Sequence, residues 1–264
     1  MSDILQSETR GRVLRLVLNR PEKRNALNAQ LCHELQDSIS HANHDSKIGS
    51  ILLLANGSCF SAGMDLQELG QVDEESLAHI QEQLFTTGTR LSKPLVAAVD
   101  GPALGGGLGI LANCHIVVAS GKAKFGLTEI RLGLWPFLIH FAVAAALGER
   151  RLLELALTGR VFEAQEAQAM GLVQVIDEDP NGKAMETAEN LANSSAMAIR
   201  SGLNFSQEIR GEDPEMVGLL ARNARKEVFE SPDFQEGLKA FREKRQPVWP
   251  SLSHEKPNPG DVVP

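Results

Sequence analysis

Residues 95–112 read LVAAVDGPALGGGLGILA, an apolar segment that passes through a glycine-rich turn into a second apolar segment. Leu95 to Val99 is uniformly apolar, the pattern of a strand buried on both faces, with Pro94 before it and Asp100-Gly101-Pro102 after it. Leu108 to Ala112 reads as a helix. A helix N-terminus offers amides without intrahelical acceptors and the positive end of a dipole. The turn Gly105-Gly106-Gly107 can therefore hold a phosphate or the oxygen of a developing oxyanion; taken alone, such a turn more often simply lets a helix pack tightly on a strand. A P-loop is excluded because no Gly-Lys-Ser/Thr follows. A dinucleotide fingerprint fits poorly, because the glycines do not keep the GxGxxG spacing and sit in mid-chain with no early βαβ unit.

On the N-terminal side, Val13 to Leu18 reads as a strand ended by Asn19-Arg20-Pro21, since proline cannot donate to a ladder. Asn28 is the expected N-cap of a helix whose apolar residues Leu31, Leu35, Ile39 and Ala42 recur at helical steps. Ile51 to Ala55 is a second buried strand, and Phe60-Ser61-Ala62-Gly63-Met64-Asp65-Leu66 follows it, rich in small residues that let another molecule approach the backbone. On the C-terminal side, His115 to Ala119 is a third buried strand. Helices are expected over Phe137 to Leu147, Arg151 to Leu157 and Ala164 to Met170, each stopped by a glycine, before a strand over Val173 to Ile176. Everything from Lys183 to about Phe241 reads helical. The fold class is thus α/β with an all-helical extension, divided into a core over 1–190, a helical region over 191–250 and a flexible tail over 251–264. No internal repeat has a convincing period.

Composition bounds the partners. The chain of 264 residues carries 26 Lys+Arg against 34 Asp+Glu, a formal charge of −8. That balance argues against broad nucleic-acid or anionic-membrane binding, and an anionic small molecule would need a local basic patch. Cys32, Cys59 and Cys114 are scattered without metal-ligand spacing, so they are expected to be reduced thiols packed as small apolar groups, in the cytoplasm, with no metal site. The first residues, Met1 to Arg12, form neither a signal peptide nor an Arg-rich transit sequence.

Taken in order, the stretches Phe60–Leu66 and Asp100–Gly107 resemble the enoyl-CoA hydratase/isomerase (crotonase) family. The resemblance extends to Asn19-Arg20-Pro21 with Asn25-Ala26-Leu27-Asn28, to Lys93-Pro94, to Phe125-Gly126-Leu127-Thr128-Glu129 with Leu132-Gly133, to Leu157-Thr158-Gly159, to Gly171-Leu172-Val173 and to Ala240-Phe241-Arg242-Glu243-Lys244-Arg245. It implies a ββα spiral core and an acyl-CoA thioester substrate whose coenzyme A is part of the substrate, with no further cofactor. The amides of Met64 and Gly106 would form an oxyanion hole. Lys23, Arg24, Ala26, Ala62 and Asp65 would meet coenzyme A, as would Phe241 and Lys244 of the C-terminal helix, often from a neighbouring subunit in a homotrimer or dimer of trimers. Leu66, Leu69, Leu134, Trp135 and Phe137 are expected to wall an apolar acyl pocket that desolvates Glu129. Core packing explains the stretch from Leu134 to Ile139 equally well.

Hydratases of this family place one glutamate two residues after the triple glycine and a second twenty residues on. Here those positions hold Gly109 and Glu129. A single carboxylate over a stabilised enolate can take a proton from C2 of a 3-enoyl thioester and return it to C4. In this respect the chain is similar to Δ3,Δ2-enoyl-CoA isomerase, with Glu129 as proton shuttle. A hydratase using Glu129 with a backbone-held water, and a non-catalytic acyl-CoA-binding homologue, are the alternatives. Dienoyl-CoA isomerases and aromatic acyl-CoA dehalogenases are disfavoured, since they carry an aspartate where this chain has Phe137. His140 is a second candidate acid, weighed against an ordinary place on a helix face.

Overall fold

The computed structural model describes residues 3–68, 70–71 and 73–252, and the chain divides after Ala192 into two compact units. The first unit begins with a hairpin of β1 (Leu5–Arg10) and β2 (Val13–Leu18), followed by α1 (Ala29–His44) and β3 (Ser50–Ala55). Then come α2 (Glu74–Phe85), β4 (Leu95–Val99), β5 (Pro102–Leu104), α3 (Gly106–Ala112), β6 (Ile116–Ala119) and β7 (Lys124–Gly126). After a 3-10 turn over Glu129–Leu132 the unit closes with α4 (Phe137–Leu147), α5 (Glu149–Thr158), β8 (Val161–Glu163), α6 (Ala164–Ala169), β9 (Val175–Ile176) and α7 (Pro180–Ala192).

The buried strands read from sequence form the centre of a six-stranded sheet in the order β1-β2-β3-β4-β6-β9. Every pairing is parallel except the β1–β2 hairpin. Successive side chains of a strand point to opposite faces, and the core divides accordingly. Ile51, Leu53, Leu95, Ala97, Val99 and Val117 join the large core with α1 and α3. Leu52, Leu54, Val96, Ala98 and Val118 face Ala184, Ala188 and Ala192, the small-residue stripe of α7. Helices on both faces explain why these strands are apolar throughout rather than alternating. A second, three-stranded sheet has the order β5-β7-β8.

Sequence reading found α1 with its Asn28 cap, whose side chain accepts from the Leu31 amide, and it found the central strands. It did not read β1, because LQSETR is a largely exposed edge strand with no apolar alternation to betray it. Nor did it read α2, whose buried Leu77, Leu84 and Phe85 are diluted by polar residues, or the three-residue strands of the small sheet.

The second unit contains α8 (Ala196–Glu208), α9 (Pro214–Phe229) and α10 (Pro232–Glu243), then a 3-10 turn over Pro250–Leu252. Ser195, Asp213 and Ser231 cap the three helices with their side chains. The buried Asp233 accepts from Ser195 Oγ at 2.5 Å and from the Ser251 amide at 2.8 Å. The second of these bonds ties residue 251 into the unit, so the expected loose tail does not start there; residues 253–264 lie outside the described residues. Among the described residues no helix is long and apolar enough to cross a membrane.

Candidate active site

Three backbone segments, distant in sequence, meet edge to edge in the first unit. Residues 61–65 run between the turn 20–28 and β5. On one side Leu27 bridges Met64 in parallel fashion, its amide donating to Gly63 O at 2.8 Å and its carbonyl accepting from Asp65 N at 3.1 Å. In such a bridge the residues flanking Met64 use their groups toward Leu27, so the Met64 amide itself faces the other way, toward β5 and α3. On that side Ser61 bridges Ala103. A Cβ placed on Gly63, whose φ is +90°, would lie 2.9 Å from Leu104 O and 3.3 Å from Gly106 N. The Met64 and Gly106 amides are therefore neighbours, and among the described residues no backbone carbonyl accepts from either.

Asn25 ties the turn 20–28 to the chain on either side of Phe60. It is fully buried in a left-handed conformation (φ 51°), next to Arg24 in the same region (φ 50°). Its Nδ2 donates to the carbonyls of Asn56 (2.9 Å) and Cys59 (2.7 Å), its Oδ1 accepts from Arg20 N (2.8 Å), and its own carbonyl accepts from Ser61 Oγ (2.8 Å). Asparagine tolerates this backbone region better than other non-glycine residues, and five hydrogen bonds over-determine it, the Asn25 amide donating to Arg20 O at 2.8 Å being the fifth. Arg20 adds a mostly buried ion pair to Asp65 at 2.9 Å. Asp65, expected to meet coenzyme A, thus also anchors the loop that carries Met64. Sequence reasoning missed the positioning parts of Arg20, Asn25 and Ser61, although all three stand inside the motifs it quoted.

Glu129 approaches from the 3-10 turn that follows β7. Its Oε1 would lie 3.1 Å from a Cβ on Gly105, a residue with φ +52° and ψ −121° that directly precedes α3. Glycine is needed there both for that backbone conformation and for the approach of the carboxylate. Glu129 Oε2 is buried without a hydrogen-bond partner. Burial pushes the Glu129 carboxyl above the usual glutamate range, a shift opposed by its own backbone amide. A carboxyl with a raised pKa and one buried, partnerless oxygen, beside two open amides, is what an acid/base group at this place would need.

The other expected residues distribute as follows. Lys23 and Arg24 are exposed on the turn beside Met64, with Lys23 Nζ donating to Gln67 Oε1 at 2.6 Å. Ala62 is tied to the same turn through its amide, which donates to Arg24 O at 2.9 Å, and Ala26 is buried there. Leu66 is exposed after Asp65, and Leu69 lies outside the described residues. Leu134 and Phe137 are exposed, Phe137 by 78%, while Trp135 packs against the large core. His140 pairs with Glu149 Oε1 at 3.2 Å, an ordinary helix-face contact. Phe241 and Lys244 belong to the second unit and are exposed on it. The three cysteines are free thiols, and burial raises the pKa of each. Among the described residues no group of three or more metal-ligating side chains is assembled.

With this geometry in view, residues 8–252 match the family described as enoyl-CoA hydratase/isomerase. The chain is 37% identical over 249 residues to a Thermus thermophilus protein provisionally named enoyl-CoA hydratase, covering 90% of this chain and 97% of that one. It is 34% identical over 269 residues to the 2,3-dehydroadipyl-CoA hydratase of Escherichia coli, covering 94% and 98% respectively. Among solved structures, human enoyl coenzyme A hydratase domain-containing protein 3 superposes with a TM-score of 0.88 at 28% identity, over 93% of this chain and all of that one (100%).

Proposed function

The chain belongs to the enoyl-CoA hydratase/isomerase family and is an acyl-CoA enzyme, and from that premise we propose that it moves a double bond in a 3-enoyl thioester, with Glu129 as the only proton carrier. The observation that carries this reading is the pairing of Glu129 with Gly109. One carboxyl, with a buried and partnerless Oε2, stands beside the two open amides, and the helix position that would supply a second carboxylate has no side chain.

In this reading the thioester oxygen accepts hydrogen bonds from the Met64 and Gly106 amides, which stabilise the negative charge that develops on it. Ionised Glu129 removes a proton from C2. The electron pair spreads over the dienolate, the protonated carboxyl returns the proton to C4, and the double bond ends between C2 and C3. No water is consumed and no redox equivalent is needed, so coenzyme A enters only as part of the substrate. Lys23 and Arg24, exposed on the turn next to the Met64 loop, would meet its phosphates. Leu66, Leu134 and Phe137 supply apolar surface for an acyl chain. We place the enzyme in the cytoplasm, consistent with its three free thiols, and propose that it assembles as trimers or dimers of trimers.

A second reading is favoured by the names of the relatives: the Escherichia coli enzyme is a hydratase, and Glu129 could activate a water held by backbone groups. Incubation with 3-hexenoyl-CoA and, separately, with crotonyl-CoA decides between them. Conversion of the first to the 2-enoyl thioester without hydration of the second supports the isomerase; efficient hydration of crotonyl-CoA overturns it. Binding of both thioesters with no turnover would instead make the protein an acyl-CoA-binding homologue.

A further inference from the structure

The place that a side chain at position 109 would occupy is already filled. A Cβ on Gly109 would lie 2.3 Å from Ile139 Cγ2, 2.8 Å from Ile139 Cβ and 3.4 Å from Phe85 Cδ1. Real carbon atoms do not approach that closely, and Ile139 cannot swing aside: its Cβ is fixed to the backbone of α4, its β-branched side chain is stiff, and it is 3% exposed in the core. Phe85 lies along the same stretch of α3, with Cζ 3.1 Å from where a Cβ on Gly106 would be. Gly109 therefore follows the oxyanion residue Gly106 by one helical turn on a shared face. The absent glutamate is thus not a simple deletion, because α4 has closed over its place.

We infer that Ile139, backed by Phe85, is a specificity-determining residue: it occupies the volume beside α3 in which a second carboxylate and its water would have to sit, and so reserves the site for proton transfer by Glu129. This rests on the isomerase reading for its chemical meaning, but the packing claim stands on its own. Hydration then cannot be installed by supplying a glutamate at 109 unless Ile139 is cut back at the same time.

The test is a pair of double-mutant cycles on the full chain, Gly109→Ala with Ile139→Ala, and Gly109→Glu with Ile139→Ala. Melting temperature, isomerisation of 3-hexenoyl-CoA and hydration of crotonyl-CoA are followed for every variant. Alanine is the better helix former, so propensity alone would raise the melting temperature of Gly109→Ala. The expected result is a fall of about 5 °C from overpacking, reduced but not abolished when Ile139 is already alanine, because the Cβ at 139 stays 2.8 Å from the new one. Gly109→Glu/Ile139→Ala is expected to hydrate crotonyl-CoA at least about tenfold faster than Gly109→Glu alone, a conservative share of what an added acid/base group contributes. Additive melting shifts in the alanine cycle would overturn the packing claim, and that cycle decides even if the glutamate variants do not fold. A folded Gly109→Glu that hydrates as well as the double variant, or a folded double variant with no gain, would overturn the specificity role. Wild-type turnover of the two thioesters is read separately: hydration by the wild type sinks the isomerase reading, while the alanine cycle still judges Ile139.

Discussion

Glu129 keeps a carboxyl in a place where its charged form is poorly supported. Oε2 has no partner, and burial raises its pKa, so the folded chain holds this proton to higher pH than the unfolded chain does. Between the ordinary glutamate value and the raised one, stability falls as pH rises; below that window the penalty is absent. Glu129→Gln removes the ionisation. Thermal melts at neutral pH are expected to show a higher Tm, together with a flatter pH dependence. The same variant should lose on the order of 10²–10⁴ in turnover, the usual contribution of a positioned acid/base group. Unchanged turnover would remove Glu129 from the chemistry. In the wild type the acid limb of the pH–rate profile should fall above the usual glutamate range, because the base must be ionised to take the C2 proton. Gly106 works through its amide instead. Gly106→Val would press against Leu27 Cδ1, 3.0 Å from the new Cβ, and against Phe85, shifting the amide. A drop in kcat on the order of 10²-fold, the scale of one lost oxyanion donor, is expected to exceed what the fall in Tm can explain.

The elements that carry these residues are held by polar clamps rather than by length. The turn 20–28 contributes no long helix or strand to the site, yet Arg20 and Asn25 fasten it to Asn56, Cys59, Ser61 and Asp65. Asp65→Ala would leave the Arg20 guanidinium mostly buried without its counter-charge, which costs about 3–5 kcal/mol in comparable buried pairs. Chemical denaturation should register that loss, and Arg20→Leu in the same chain should recover part of it. If Asp65→Ala melts like the wild type, the clamp is not what fixes the Met64 loop. The packing of α3 on α4 shows the same dependence on partners. Gly109 looks like a weak point in a helix until Ile139 is seen 2.3 Å from the place of its missing Cβ.

At the scale of the whole molecule, Phe241, 81% exposed on α10, is apolar surface that a partner would cover. The proposed trimer predicts a mass near three times that of one chain by light scattering, and Phe241→Asp should weaken it; a wild-type monomer would refute the expectation. The α/β class, the buried strands and the glycine-rich turn were legible because each is written in a contiguous run: five apolar residues in a row call for burial, and three glycines before an apolar segment leave few other readings. Resemblance over ordered motifs then brought Met64, Gly106 and Glu129 into one family pattern. The β1 edge strand stayed hidden because an exposed strand needs no apolar alternation. What no run of residues could express was proximity: that the Met64 amide turns away from Leu27 toward Gly106, that Asn25 is wholly buried and ties its turn to Cys59 and Ser61, and that Ile139 fills the space beside Gly109. Local sequence determines which segments must be buried and where the chain can turn, since those depend on side chains a few residues apart. The environment that leaves Glu129 Oε2 without a partner, and the volume denied to position 109, arise between segments that meet only when the chain is folded, so only the tertiary structure decided them.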